Sequence, residues 1–243
     1  MKPIHQILTR EFKGLLDRID QWIEYAARIR ELEAQLAEVF ADKRVAIIGN
    51  SPGLIGKGLG KEIDAHDLVV RINGGARIQA PDDIGHKTDV MFLGATMEKE
   101  KDFISLNQNN AGCVAISTTK NRAILGMLPI SRSVFYPRIL PRVITKKTQQ
   151  AFKIPDAARK FRPPRSGFIC LAAIHRYGKA REISLYGMSD SIEKSQGRVT
   201  PTGEVKTYDP QQYKGLHCDP AFELTLLKQL TEHAENITWR GRD

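Results

Sequence analysis

Residues that could hold a phosphate group follow a short apolar run near the start of the chain. The run, 45–48 (VAII), has a β-branched bias and is followed directly by 49–51 (GNS), with further glycines over 56–60. Glycine lets the backbone approach a phosphate closely, and the amides of a glycine-rich turn can point at the phosphate oxygens. A second apolar run, 68–70, leads to Asn73. This order of strand, glycine-rich turn, helix or loop and strand is typical of a nucleotide-binding α/β unit.

Two well-known nucleotide signatures do not fit this stretch. A P-loop needs a glycine, four residues and then Gly-Lys-Ser or Gly-Lys-Thr. Here Gly60-Lys61 is followed by Glu62, and Ile55 stands where the first glycine belongs. A dinucleotide fingerprint needs G-x-G-x-x-G directly after the strand, whereas the closely spaced glycines here come later. Ordinary structural turns remain an alternative explanation of the glycines.

A second candidate for anion binding lies in the C-terminal half of the chain. Ser166 and Gly167 stand where the apolar segment 168–174 begins, which predicts a helix with Ser166 as its N-cap. The free amides and the positive dipole end of a helix N-terminus suit a phosphate or a carboxylate. An ordinary capped helix is the structural alternative.

The elements around these residues predict an α/β fold. Further strands are expected at 88–94, 113–117 and 182–188, and they alternate with helical segments. This alternation favours a Rossmann-like, mainly parallel sheet flanked by helices. These strands and helices together would form one domain, residues 42–243.

The N-terminal segment 1–41 predicts one long helix. Apolar residues recur over 4–40 at spacings of three and four, and charged residues occupy the other faces. Three roles stay open: packing on its own domain, a coiled coil that would make a homodimer, and peripheral membrane contact.

The segment 120–165 is strongly basic. Its basic residues are accompanied by a single acidic one, Asp156, and prolines interrupt it repeatedly. We interpret it either as a lid or acceptor surface for a negatively charged substrate or membrane, or as a solvated basic insertion. The net charge of +9 likewise favours anionic partners, and no motif predicts nucleic-acid binding.

The three cysteines predict reduced thiols and a cytoplasmic protein. They are widely spaced, and no pair has the CxxC spacing of a zinc or redox site. The sequence contains neither an apolar run of about 20 residues nor the apolar region of a signal peptide. A soluble protein is expected, with the inner face of the cell membrane as an alternative location.

The amino-acid sequences of three stretches resemble motifs of the sialyltransferases, glycosyltransferase family 29. The first resembles the large sialyl motif, and its matching elements are Gly49-Asn50-Ser51, the glycine-spaced loop, Ile63-Asp64-x-His66-Asp67, Arg71-x-Asn73 and Asp83-Ile84-Gly85-x-Lys87-Thr88. The second, 162–188, resembles the small sialyl motif, although Arg165-Ser166-Gly167 is one residue tighter than the family's Pro-Ser-x-Gly start.

The third stretch departs further from the family. The family carries a His, four residues and a Glu near its C-terminus, whereas His217 and Glu223 have five residues between them. Thr207-Tyr208-Asp209 resembles the short third motif, with Tyr208 near the position where many members have His. The disulfide that joins the two large motifs in animal members has no counterpart, since the first motif lacks a cysteine and Cys170 is out of position.

The resemblance implies a bacterial transferase, in polysaccharide biosynthesis, that moves a sialic acid or related 2-keto sugar acid from a CMP-activated donor to a glycan or glycolipid hydroxyl. His217 would be the base, and Glu223 would orient His217 or cap the following helix. The nucleotide and donor would bind to Asn50, Ser51, Asn73, Ser166, Gly167 and Tyr208. No Asp-x-Asp occurs in the chain, so an inverting displacement without a metal or cofactor is expected.

Other functions remain open at this stage. The donor could be CMP-Kdo, with a retaining mechanism through a carboxylate such as Asp64 or Asp67. A non-catalytic relative that binds a nucleotide or glycan is the alternative outside the enzymes. His66 and His175 compete with His217 for the role of base. The acceptor, its linkage and the oligomeric state are not indicated.

Overall fold

The computed structural model describes residues 25–73, 80–94, 112–118, 130–137, 140–155, 162–189, 197–199, 205–207 and 217–240. In this part of the chain, seven parallel strands form one sheet in the order β5-β4-β3-β2-β1-β6-β9. These strands are β1 Arg44–Ile48, β2 Leu68–Ile72, β3 Val90–Leu93, β4 Cys113–Thr118, β5 Ile130–Tyr136, β6 Glu182–Tyr186 and β9 Ile237–Trp239. The antiparallel pair β7 Gly197–Val199 and β8 Val205–Thr207 is separate.

The strand order contains one reversal, and it determines where a ligand can bind. The chain builds outward from β1 to β5 and then crosses to the other side of β1 to form β6. Loops leave the two neighbouring strands in opposite directions at such a point, which opens a crevice at their carboxyl ends. The Rossmann-like, parallel α/β fold is therefore confirmed, with its switch point between β1 and β6.

Helices cover both faces of the sheet. They are α1 (25–40 in the described part), α2 Gly60–Asp64, α3 Pro81–Ile84, α4 Leu140–Phe152, α5 Ser166–Ala173 and α6 Pro220–His233. Successive residues of a strand point to opposite faces. Val45 and Ile47 accordingly share a core with α1, α4, α5 and α6, while Ala46 and Ile48 pack with α2, α3 and the 3₁₀ turn Pro52–Leu54.

The described part of the N-terminal helix packs on its own domain. Leu32, Leu36 and Phe40 of α1 are buried in the main core, and Glu38 forms an ion pair with Arg132 of β5. The predicted residues 4–24 lie outside the described residues. In the part that the structure shows, the apolar stripe is used for intramolecular packing.

The described parts of the segment 120–165 belong to the core domain rather than to a solvated insertion. Its role as a lid or acceptor surface stays a prediction, and 120–129, 138–139 and 156–161 lie outside the described residues. Its described parts supply the edge strand β5 and helix α4. Leu140 and Ile144 of α4 are buried in the core, whereas Lys146 and Lys147 are exposed. The basic residues Arg142, Lys146 and Lys147 of α4 are exposed on the solvent side of an amphipathic helix, whose opposite side is apolar.

The cysteines are unpaired, as expected. Cys113, Cys170 and Cys218 are all free. Burial raises the pKa of Cys113 to about 11 and that of Cys218 to about 12, so these thiols stay protonated at neutral pH. No helix in the described residues is long and apolar enough to cross a membrane.

Candidate functional site

Two glycines bring the chains that leave β1 and β6 into close contact at the switch point. Gly49 N donates to Tyr186 O (2.7 Å), and Ser51 N donates to Gly187 O (3.1 Å). A Cβ atom on Gly49 would lie 2.1 Å from Gly187 O, and Gly187 has a φ of +60°. The backbone crossing at this edge therefore requires glycine on both sides.

Asn50 lies at the carboxyl edge, between β1 and β2. Its Nδ2 donates to Ile72 O (3.3 Å), which ties the end of β1 to the end of β2. Its Oδ1 is buried and has no hydrogen-bond partner among the described residues. A buried acceptor without a partner is costly, and an N–H or O–H group of a bound nucleoside is the kind of donor that would satisfy it.

Ser51 acts locally. Its Oγ accepts a hydrogen bond from Gly53 N (3.3 Å) and caps the 3₁₀ turn that follows β1. The side chain is 5% exposed. These contacts shape the loop beside the switch point, and ligand binding by Ser51 stays a prediction.

Asn73 joins three elements at the same edge. Its Oδ1 accepts from Gly94 N (2.8 Å), and its Nδ2 donates to Ser166 Oγ (3.3 Å), although Ser166 is 93 residues away in the chain. Asn73 has a φ of +51°, a conformation that asparagine tolerates better than most residues. A Cβ on Gly94 would lie 2.2 Å from Ser166 Oγ, so these three residues fit together only with glycine at position 94.

Ser166 is the first residue of α5 rather than its N-cap. The N-cap is Arg165, whose extended backbone (φ −66°, ψ 162°) carries no capping side-chain bond. Ser166 Oγ therefore accepts from Asn73 instead of serving the helix, and its own O–H can donate outward. The amides of Ser166 and Gly167 belong to the first helical turn, where N–H groups have no partner within the helix.

The glycine-rich loop does not offer its amides to a phosphate. The Asp83 carboxylate accepts from Gly58 N (2.9 Å), and hydrogen bonds from the amides of Gly56, Gly58 and Lys57 hold the pKa of Asp83 below its usual range. The expectation that this turn cradles a phosphate is thus corrected, because an acidic side chain of the protein already occupies the position of the anion.

Replacing Asp83 with asparagine is expected to lower the melting temperature by about 2–4 °C at pH 7. Because the pKa of Asp83 is lowered in the folded state, its contribution is fully present above the unfolded value of about 4 and disappears as pH falls through the folded value. The difference in melting temperature between the variant and the wild type should therefore be constant from pH 5 to 8 and become smaller below about pH 4. Thermal unfolding followed by circular dichroism measures it.

Asp82→Asn is the matched control, since Asp82 is the exposed neighbour of Asp83 in α3. It should leave the melting temperature unchanged. Equal melting temperatures for wild type and Asp83→Asn at pH 7 would show that the carboxylate does not hold the loop.

Other residues of the first motif organise the loop before β3. Arg71 is buried and donates through Nε and Nη2 to Lys87 O, Thr88 Oγ1, Ile84 O and Gly85 O. Burial lowers the pKa of Arg71 to about 10, while the nearby Asp64 raises it. Asp64 itself accepts from His86 N (2.9 Å) and Lys87 N (3.0 Å). This half of the motif is occupied with protein contacts.

His217 and Glu223 lie beside the segment that leads into α5. Cys218 N donates to Pro163 O (3.0 Å). The Glu223 carboxylate accepts from Arg165 N (2.7 Å) and Arg165 Nε (2.8 Å), across 58 residues of sequence. Helix α6 is capped by Asp219, whose Oδ1 accepts from the amides of Ala221 (2.8 Å) and Phe222 (3.3 Å). The capping role considered for Glu223 thus belongs to Asp219, and orientation of His217 by Glu223 stays a prediction.

His217 has its pKa lowered. Burial is the main cause, and Arg165 acts in the same direction, while Glu223 and the carbonyl groups of Pro163 and Pro164 oppose it. Its Nδ1 is buried and lacks a partner within the described residues. The ring is therefore neutral at pH 7, the state that a general base needs.

The competing histidines have structural contacts. His66 Nδ1 lies 3.1 Å from Glu62 O, and its ring meets Tyr186 edge to face. His175 Nδ1 lies 3.2 Å from Asn236 Oδ1, and burial lowers its pKa. Tyr208 lies outside the described residues, so its contact with the phosphate stays a prediction. Within the described part of the chain, no group of three His, Cys, Asp or Glu side chains could hold a metal ion.

Comparison with known proteins decides the family. The profile of glycosyltransferase family 29 (sialyltransferase) matches residues 9–162. The chain belongs to glycosyltransferase family 29. This confirms the resemblance that the three stretches indicated.

Individual proteins match over shorter segments. Sialyltransferase-like protein 2 of Oryza sativa subsp. indica is 36% identical over 72 residues, which cover 30% of this chain and 18% of that protein. CMP-N-acetylneuraminate-beta-galactosamide-alpha-2,3-sialyltransferase 2 of Mus musculus is 35% identical over 51 residues, or 21% of this chain and 15% of that protein. Both matches span less than a fifth of the relative's length.

Two solved sialyltransferase structures share the fold over most of the chain. A crystal structure of a mammalian sialyltransferase superposes with a TM-score of 0.52 at 20% identity, covering 90% of this chain and 79% of that one. A second, in complex with Gal-beta-1-3GalNAc-ortho-nitrophenol, gives a TM-score of 0.51 at 20% identity and covers 89% of this chain and 79% of that one. The shared fold thus extends beyond the segment 9–162.

Proposed function

We propose that this protein transfers a sialic acid, or a related 2-keto sugar acid, from a CMP-activated donor to a glycan hydroxyl. The observation that supports it most is the convergence of two distant segments. His217 lies next to the residues that precede α5, and α5 begins at the carboxyl edge of the sheet with Ser166, which Asn73 holds. Family membership supplies the class of reaction. The lowered pKa of His217, together with its position beside the residues that lead into α5, supports its assignment as the base.

In this proposal, each group at the edge has one task. The Asn50 Oδ1 acceptor binds a donor group of the nucleoside, while Ser166 O–H and the first amides of α5 bind the phosphate or the carboxylate of the sugar. His217 takes the proton from the acceptor hydroxyl as its oxygen attacks the anomeric carbon. The bond from that carbon to the phosphate oxygen breaks, and CMP leaves with the bonding electrons, stabilised by the preorganised donors. The anomeric configuration is inverted, and no metal takes part.

The retaining alternative with CMP-Kdo finds no support from the two carboxylates considered for it. Asp64 is bonded to the amides of residues 86 and 87. Asp67 accepts from Arg44 N (2.7 Å) at the start of β1, so it lies at the opposite, amino edge of the sheet. Neither carboxylate is placed to attack a sugar at the carboxyl edge.

Calorimetry and an activity assay test the proposed function directly. CMP should bind at least about tenfold more tightly than UMP, GDP or NAD, with unchanged affinity in EDTA, and CMP-sialic acid should be consumed in the presence of a suitable glycan. Ser166→Ala should weaken CMP binding about tenfold, because it removes a hydrogen bond to a charged ligand. Ser131→Ala is the control, since Ser131 bonds to Gly112 O at the opposite edge and should change nothing.

Preference for UMP, GDP or NAD would refute the choice of donor. CMP binding without transfer to any acceptor in a glycan panel would favour the non-catalytic relative. Loss of binding in EDTA would contradict metal independence.

A further inference from the structure

We propose that Arg165 is a positioning residue that holds the Glu223 carboxylate and balances its charge, so that His217 remains in the neutral form. This inference rests on the proposed function, in which His217 is the base. Neither residue of the pair has to contact the substrate for the effect.

Arg165 and Glu223 form an ion pair with two hydrogen bonds, which we call the clasp. Both Glu223 oxygens are used, Oε2 by Arg165 N at 2.7 Å and Oε1 by Arg165 Nε at 2.8 Å. The Glu223 side chain is only 10% exposed, while that of Arg165 is 38% exposed. Two bonds from one residue to a nearly buried carboxylate fix its orientation more firmly than a single contact would. The clasp joins the residues before α5 to the first turn of α6.

His217 lies where this clasp can act on it. Its neighbour Cys218 is bonded through its amide to Pro163, two residues before Arg165, and Cys218 Sγ lies 3.9 Å from Glu223 Oε2. Arg165 before α5 and Glu223 in α6 are charged groups that act on His217, and the titratable residues Cys218 and Asp219 follow it directly in the chain. A carboxylate left unpaired here would favour the imidazolium, because a nearby opposite charge stabilises the charged form of a titrating group.

The two members of the clasp act on His217 in opposite directions. Glu223 raises the pKa of His217, and Arg165 lowers it. Cys218 experiences the same opposition, since Glu223 raises the pKa of its thiol and Arg165 lowers it. With the pair intact, burial decides the outcome and the imidazole stays neutral. Without the guanidinium, the Glu223 charge is uncompensated and the imidazole becomes protonated at a higher pH.

The test is a double-mutant cycle on the full chain. The titration of the His217 ring is followed by NMR of ¹³C-labelled histidine, with its signal identified by its loss in His217→Ala, and kcat/KM is measured across pH. Arg165→Met, which keeps the aliphatic stem, should move the midpoint of His217 upward and lower kcat/KM at pH 6 about threefold relative to pH 8. Glu223→Gln should move the titration midpoint of His217 downward. In the double variant, the titration midpoint of His217 should return close to the wild-type value. In Arg165→Lys, which keeps the charge, the midpoint should stay close to the wild-type value.

The cycle separates charge balance from a purely structural role. If Arg165 only holds the loop in place, the titration midpoint of His217 will shift by the same amount in Arg165→Met and in the double variant. This result would overturn the proposal. An unchanged His217 midpoint in Arg165→Met would overturn it as well. If His217→Ala retains full activity while the NMR midpoints shift as expected, the base assignment fails and the electrostatic clasp stands.

Discussion

His217→Ala is expected to reduce kcat for sialic acid transfer about 100- to 10,000-fold, the usual range for loss of a general base. CMP affinity should change less than about threefold, because the proposed nucleotide contacts come from Asn50, Ser166 and the start of α5 rather than from the imidazole. Burial lowers the pKa of His217, which favours the neutral imidazole that the proposed mechanism needs at pH 7. Steady-state kinetics with CMP-sialic acid and calorimetry with CMP give the two numbers.

His233→Ala is the matched control for this variant. His233 lies at the end of α6, exposed, with its Nδ1 near Gln229 O at 2.9 Å, and its removal should leave kcat unchanged. If His217→Ala keeps wild-type kcat, another group accepts the proton and the proposed role of His217 is wrong.

Gly49→Ala is expected to lower the free energy of unfolding by at least about 3 kcal/mol, the upper part of the range for overpacked sites. The new Cβ would lie 2.1 Å from Gly187 O. Gly187 O is a backbone atom, and the Cβ is fixed to the backbone of position 49, so neither can move without shifting chain next to hydrogen-bonded strands. The melting temperature should fall by about 6–12 °C for a domain of this size. Because the clash lies at the switch point, CMP binding should weaken in the folded fraction as well. Thermal unfolding and calorimetry at a temperature below the transition measure the two effects.

Gly56→Ala separates the clash from the general cost of replacing glycine. Gly56 has a φ of +81°, but nothing lies within 4 Å of an added Cβ, so only the backbone penalty of about 1–2 kcal/mol applies. A Gly49→Ala variant no less stable than Gly56→Ala would show that the chains after β1 and β6 can separate without cost.

Local sequence patterns predicted most of the sheet and the family. The apolar runs that became β1, β2, β3, β4 and β6 are short, β-branched and bounded by glycine or polar residues, and burial between two helical layers demands that composition. The wording of the first motif, from Gly49 to Thr88, identified family 29, which the match over 9–162 confirms. The sequence of this motif did not indicate which of its residues face a ligand.

Segment 120–165 shows where composition misled. Its basic residues suggested either a lid or acceptor surface or a solvated insertion, yet Val134 and Tyr136 of β5 and Ile144 of α4 are buried. A helix with one apolar face can carry any number of charges on the other, so charge density alone does not distinguish an insertion from a part of the core.

The sequence by itself determined the fold class, the family and the residues that could do chemistry. Only the tertiary structure decided which of them meet. Asn73 bonds to Ser166 over 93 residues of chain, and Glu223 bonds to Arg165 over 58. It also showed that Asp83 occupies the glycine-rich loop, 25 residues from Gly58. Composition and periodicity describe a residue's near neighbours in the chain, whereas hydrogen bonds and charge pairing depend on distances that exist only once the strands have been ordered in the sheet.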